Sequence, residues 1–262
     1  MTTLQDVVAD LSSGRLQIID LSAPLSEQTP VLQLPAPFAN TATFQMQTIS
    51  AFDAAGPAWA WSNITLGEHT GTHLDAPIHW ITGREGKAVH QIEPARLIGP
   101  AVVIDLSAEA AANPDVLLEP AHLEAWEAEH GPLPQNCWVL LRTGWSERNT
   151  DSQRFLNADE NGPHTPGPSV ACAQWLAEHP AVCGFGVETV GIDAGAAGGF
   201  EPSFPAHHYL LGNDRYGLTS LINLDRLPAS GAVLVVAPLP IVGGTGSPAR
   251  VYALVEALVE GA

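Results

Sequence analysis

Three imidazoles and a carboxylate fall at odd-numbered positions within eleven residues, His69-Thr-Gly-Thr-His73-Leu-Asp75-Ala-Pro-Ile-His79, of a chain with ten histidines in all. Side chains two apart share a face of an extended segment, so His73 and Asp75 point the same way, and flanking turns bring His69 and His79 alongside. Neutral imidazoles and a carboxylate suit a borderline divalent cation such as Zn²⁺, Mn²⁺ or Fe²⁺. The pairs His69/His73 and Asp75/His79 also have helical spacing. Thr70, Gly71, Thr72 and Pro77 weigh against a helix, however, and no Glu follows the first His as in a helical zinc-protease motif. One such histidine would read as part of a solvated loop. Four groups in phase, beside apolar Leu74, Ile78 and Trp80, point to a site.

The elements that must position these groups are visible as apolar runs. Leu16 to Leu21, Ala101 to Leu106, Trp138 to Arg142, Cys183 to Val187 and Ala232 to Ala237 read as buried strands, most of them bounded by Gly, Pro or Asp. Helical stretches lie between them at Pro120 to Glu129, at Ser169 to His179 and, briefly, at Val89 to Ile92; Met1 to Gln17 reads as a short amphipathic helix. Leu25 to Trp61, rich in Pro, Thr, Ala and aromatics, suggests loops and paired strands ahead of the motif. The sum is an α/β fold with a mixed, partly antiparallel sheet. The run Ala194-Gly-Ala-Ala-Gly-Gly199 is either a site loop or a surface turn.

Composition bounds the function. A chain of 262 residues that is 45% hydrophobic buries a sizeable core, and we expect one domain over 1–262. A net charge of −18, from 28 acidic against 10 basic side chains, disfavours nucleic acid or an acidic membrane surface as partner. The start has no basic end followed by an apolar core, and no window approaches the roughly 20 apolar residues that span a bilayer. Cys137, Cys172 and Cys183 are few and widely spaced, as in a reducing compartment, so a cytoplasmic protein is expected. The expected partner is a small-molecule substrate, with the chain itself forming a homodimer or higher homo-oligomer.

Other chemistries find little support. Gly243-Gly244-Thr245-Gly246 lacks the Lys-Ser/Thr ending and following helix of a phosphate cradle and reads as a turn. Ser146, Ser220 and the cysteines have no neighbouring base in sequence, and no Gly-x-Ser-x-Gly elbow occurs, so covalent catalysis is unsupported.

The pattern His-x-Gly-Thr-His-x-Asp-x-Pro-x-His at 69–79 resembles the signature of the cyclase family of metal-dependent hydrolases, which includes kynurenine formamidases and isatin hydrolases. The likeness runs along the chain, through Ile19-Asp20-Leu21-Ser22, Thr29-Pro30, Leu141-Arg142-Thr143-Gly144-Trp145, Gly191-Ile192-Asp193, Phe204-Pro205-Ala206-His207-His208 and Gly246-Ser247-Pro248-Ala249-Arg250. It implies a layered β/β/α arrangement with swivelling-domain topology. It implies His69, His73 and Asp75 as metal ligands, with His79 as proton donor and acceptor. His207 matches a second-metal ligand of two-metal members, but the Glu expected twelve residues later is Thr219 here. A hydroxyl offsets little of the repulsion between two dications, so one divalent ion per chain is expected, Mn²⁺ ahead of Zn²⁺ from the resemblance. His207 is then free to hold the substrate carbonyl or the attacking water.

Formamidases of the family carry a Trp near the Thr-Pro pair, where this chain has Val31-Leu32. Trp80, Trp59 and Ser220 are the expected substrate contacts, Trp80 foremost because it follows His79. The reaction implied is hydrolysis of a small cyclic amide, isatin opened to isatinate, with kynurenine formamidase or lactone hydrolase as the enzymic alternatives. A metal-containing binding protein without catalysis would keep the ligands but would not need His79.

Overall fold

Nearly uninterrupted runs of Val, Ile and Leu make strands that are buried on both faces, and such strands form the centre of the sheet. The computed structural model describes residues 3–34 and 36–257. Its strands used below are β1 (Leu16–Asp20), β2 (Gln45–Asp53), β3 (Gly56–Thr65), β4 (His73–Asp75), β5 (Ile98–Asp105), β6 (Cys137–Arg142), β7 (Val182–Val187), β8 (Tyr216–Thr219), β9 (Ala232–Pro238) and β10 (Gly246–Glu256). The main sheet has eight strands in the order β1-β10-β9-β5-β6-β7-β8-β4. Strands β5 to β8 pair in parallel, and the remaining pairings are antiparallel. The sheet is thus mixed, as expected.

Strand β4 closes the sheet. On one side Thr219 lies opposite His73 and Gly217 opposite Asp75; on the other, Pro248 lies opposite His73 and Gly246 opposite Asp75. The three-residue strand that carries the metal motif therefore joins β8 to the first part of β10 and makes the sheet barrel-like. Pairing on both edges satisfies its backbone and fixes the extended conformation expected for the motif.

The two-residue period of the strands sorts the core into two layers. From β5, Ala101 and Val103 face the inside of the closed sheet with Leu74, Trp138, Leu140, Leu218, Leu234 and Val251. Val102 and Ile104 face outward onto Leu123 and Trp126 of helix α2 (Pro120–His130) and Leu176 of helix α3 (Val170–Glu178). Helix α3 starts where Ser169 caps the Cys172 amide, and α2 starts with Pro120 at its first position. Two sheet layers with helices on one side give the β/β/α layering.

Strands β2 and β3 stand apart as a two-stranded ribbon, the paired strands foreseen between Leu25 and Trp61. Val89 to Ile92 forms a 3₁₀ turn at Val89–Gln91 rather than an α-helix, since three residues close only one such turn. The N-terminal helix runs Leu4–Ser13, while residues 1 and 2 of the expected element lie outside the described residues. The cysteines Cys137, Cys172 and Cys183 are free and buried.

Candidate metal centre

Asp75 is the buried hub of the site. Its Oδ1 lies 2.8 Å from His69 Nδ1 and 3.4 Å from His73 Nε2, and its Oδ2 lies 4.0 Å from His207 Nε2. Gly217 in β8 makes room for it, because a Cβ there would come within 2.8 Å of Oδ2. Burial would raise the Asp75 carboxyl, but hydrogen bonds and charge from His69 and His73 hold it well below the usual carboxylate range.

The imidazoles turn ring nitrogens toward this carboxylate. His73 Nδ1 is 2.7 Å from the Gly71 carbonyl, an acceptor only, so that nitrogen carries the proton and Nε2 faces Asp75. Thr219, opposite His73 in the ladder, sets its hydroxyl 2.8 Å from Nδ1 and 3.2 Å from Nε2. His69 Nε2 is held at 3.0 Å by Thr245 Oγ1, with Nδ1 facing Asp75. Ring nitrogens of His69 and His73 that converge on an ionised carboxylate call for positive charge there. A divalent cation supplies it, so the donor set fits a metal. One ligand atom from each of His69, Asp75 and His79 lies within 4.8 Å of the others. The compact trio thus includes His79, which was expected to move protons, while His73 approaches the same carboxylate from the side.

His79 ends a 3₁₀ turn at Pro77–His79 and stacks on the His69 ring at 3.9 Å. Burial pushes its imidazole down to about 3, against the opposing pull of Asp75. His207 opens a single π-helical turn at His207–Leu211. Its Nδ1 lies 2.5 Å from Asp193 Oδ2, while Asp193 Oδ1 accepts from the Ala206 amide at 2.7 Å. Burial opposes the imidazolium, but Asp193, with Asp75 beyond it, raises the His207 pKa above its ordinary value. The two histidines are therefore held in opposite states, one neutral and one readily protonated.

Trp80 covers this group: its ring centroid is 4.7 Å from that of His207 and 5.7 Å from that of Phe204, edge to face. Ser220 has a left-handed φ of 53° and presents its carbonyl to the Thr72 hydroxyl at 2.7 Å. It lines a cavity of about 280 Å³ with Ala23, Thr29, Pro30 and Gly71, which meets the motif at Gly71. Trp59 stands on β3, about half exposed. Among the described residues, the ring contacts around the motif involve Trp80 and Phe204 and not Trp59. Leu32, where formamidases carry their Trp, is exposed.

Asp193 and Phe204 were quoted for resemblance but given no role by sequence reasoning. Both were findable, since Asp193 ends Gly191-Ile192-Asp193 and Phe204 begins the His207 segment. The run at 194–199 joins them, its Ala197 carbonyl accepting from the Phe204 amide at 2.9 Å. The run forms a 3₁₀ turn at Gly195–Gly199.

A closed mixed sheet whose closing strand carries this motif defines the class. The Cyclase family model matches residues 19–194, and the chain belongs to that family. It is 48% identical over 257 residues to the isatin hydrolase of Roseibium aggregatum, covering 97% of each chain. It is 29% identical to the kynurenine formamidase of Geobacillus thermodenitrificans, over 88% of this chain and 94% of the relative. Among solved structures, it resembles an isatin hydrolase bound to the product analogue thioisatinate, with a TM-score of 0.94 and 47% identity, over 98% of this chain and 100% of the other. Isatin hydrolase A from Ralstonia solanacearum superposes at a TM-score of 0.95 with 49% identity, over 98% of each.

Proposed function

We propose that the chain is a metal-dependent hydrolase that opens isatin to isatinate. The observation that carries this reading is the convergence of imidazole nitrogens on Asp75 beneath the Trp80–Phe204 pair, which suits a flat bicyclic lactam. The similarity to isatin hydrolases along nearly the whole chain supports it. His69, His73 and Asp75 would hold one divalent ion, Mn²⁺ ahead of Zn²⁺. When bound, such an ion lowers the pKa of a coordinated water toward about 7 and polarises the carbonyl.

The chain's own residues then do the following. Neutral His79 takes the proton that the attacking water gives up as the new C–O bond forms. Protonated His207, held by Asp193, donates a hydrogen bond to the carbonyl oxygen as negative charge develops on it. The C–N bond then breaks, and His79 returns its proton to the departing nitrogen, leaving an amine and a carboxylic acid that loses its proton to solvent. Trp80 and Phe204 orient the ring, and Ser220 is kept as a substrate contact from the adjoining cavity.

A second reading has its own observation. The compact trio of His69, Asp75 and His79 would make His79 a ligand and leave proton transfer to His207.

We further propose self-association through the β2–β3 ribbon, whose large apolar side chains stand exposed, Trp59 among them. No described helix is long and apolar enough to cross a membrane, and the buried free thiols suit a reducing compartment; we place the protein in the cytoplasm as one domain. The test of function is to give isatin and N-formylkynurenine in parallel to protein loaded with Mn²⁺ or Zn²⁺ and to follow absorbance. Isatin opening should be the faster reaction. Deformylation without isatin opening would reverse the assignment.

A further inference from the structure

The Gly-rich segment 243–246, which the sequence presents as a plain turn, packs directly on the metal motif. A Cβ at Gly246 would lie 2.4 Å from His69 Cε1 and 2.8 Å from its Nδ1, so only glycine admits the ring. The segment is pinned to the motif by the Ala76 amide donating to the Thr245 carbonyl at 2.9 Å, and to the 3₁₀ turn at Val89–Gln91 by the Val89 amide donating to the Gly244 carbonyl at 3.0 Å. It is a fixed seat for His69 rather than a free loop.

The polar contacts of this seat determine which His69 nitrogen carries the proton. Thr245 Oγ1 lies 2.6 Å from Glu68 Oε2, and the Thr245 amide donates to the same oxygen at 3.1 Å. An ionised carboxylate only accepts, so the single hydroxyl proton of Thr245 goes to Glu68. The hydroxyl oxygen, 3.0 Å from His69 Nε2, is then left to accept. Nε2 must carry the ring proton, and a neutral imidazole has only one. Nδ1, 2.8 Å from Asp75 Oδ1, is thereby the nitrogen whose lone pair a cation shared with Asp75 can take.

We propose that Glu68 and Thr245 are positioning residues that fix the tautomer and ring orientation of His69, so that Nδ1 is the nitrogen it offers to the metal. The inference rests on the metal reading of the site. Removing Glu68 frees the Thr245 hydroxyl to donate to Nε2, which permits the opposite tautomer, with its Nδ1 proton hydrogen-bonded to Asp75 and no lone pair for a cation. Outer partners of this kind typically govern metal affinity by 10- to 100-fold.

The experiment has two readouts, neither of which is turnover. In Zn²⁺-loaded protein labelled with ¹⁵N-histidine, the NMR correlation pattern of His69 should show the proton on Nε2. Competition with a chromophoric chelator should show Zn²⁺ binding weakened about 10- to 100-fold in Thr245→Val and in Glu68→Ala, and restored in Thr245→Ser. The double variant should bind no worse than the weaker single one, because Glu68 acts through Thr245. If Thr245→Val does not fold, Glu68→Ala, at a partly exposed position, carries the test. A proton on Nδ1 in the Zn²⁺-loaded protein, or wild-type Zn²⁺ affinity in both variants, overturns the inference. A His69→Ala control separates the two failures. If it loses Zn²⁺ while the variants keep it, this inference alone falls; if it binds Zn²⁺ as the wild type does, the metal reading falls with it.

Discussion

Strand β4 buries His73 and Asp75 between neighbours on both of its edges, whereas the β2–β3 ribbon holds Met46, Phe52, Trp61 and Ile64 out in the open. Each region departs from the ordinary partition of side chains, in opposite directions. Burying an ionised carboxylate costs several kcal/mol unless partners offset it, and every partner of Asp75 is an imidazole. A two-stranded ribbon is marginal by itself in water, and apolar side chains on it gain nothing until something covers them. The first departure is the site proposed for small-molecule chemistry; the second is the surface proposed for self-association. Breaking either should leave the other intact.

The largest effect is expected from Asp75→Ala. It removes the charge toward which three imidazoles are turned, so both bound metal and isatin opening should be lost, by more than the roughly 10²- to 10⁴-fold that proton transfer alone contributes. Elemental analysis beside an activity assay measures both. A full complement of metal in Asp75→Ala would end the reading of Asp75 as hub.

Next comes His79→Ala, which divides the site into holding and transferring. Retained metal with turnover down about 10²- to 10⁴-fold assigns His79 to proton transfer. Lost metal with turnover recovered when metal is in excess assigns it to the ligands, as the compact trio allows.

The comparison also shows what sequence carried and what it did not. The motif was legible because its chemistry is local: Gly71 and Pro77 exclude a helix, and alternate positions in extended chain do the rest. The central strands were legible because burial on both faces leaves continuous apolar runs such as Val102-Val103-Ile104. Strand β10 was not, since Pro248 and Arg250 interrupt it and its identity as a strand comes from pairing with three neighbours. Nor was the dyad of Asp193 and His207 as a unit, because fourteen residues and a π turn bring the two side chains together. Thr219 was legible as a missing carboxylate, but its place against the His73 ring depends on strand register.

For the ribbon, replacing Phe52 and Trp61 together by Ser should shift the protein toward monomer in sedimentation while leaving metal content unchanged. Each large apolar side chain withdrawn from an interface forfeits about 1.5–3 kcal/mol, roughly ten- to hundredfold in dissociation constant. An unaltered assembly, or a wild-type chain that is already monomeric, would remove the role given to this surface.

The smallest effect separates the regions by pH alone. With metal removed, His79 is held neutral at a pKa of about 3, against about 6.5 in the unfolded chain. Below 6.5 the unfolded chain takes up a proton there that the folded chain refuses, so stability falls as pH drops from 6.5 toward 3. His207 works in the other direction: its pKa is raised in the fold, so its contribution is complete below 6.5 and fades only as pH rises through the folded value. The acid limb between pH 6.5 and 5 therefore belongs to His79, at about 2 kcal/mol from 1.36 kcal/mol per unit. The ribbon holds no histidine and a single ionisable side chain, Asp53, so it has nothing to contribute in that interval. Denaturant titrations of metal-free protein at pH 6.5 and pH 5 should show the loss in wild type and a flattened profile in His79→Gln. The same slope in both proteins would mean that His79 is not held neutral by the fold.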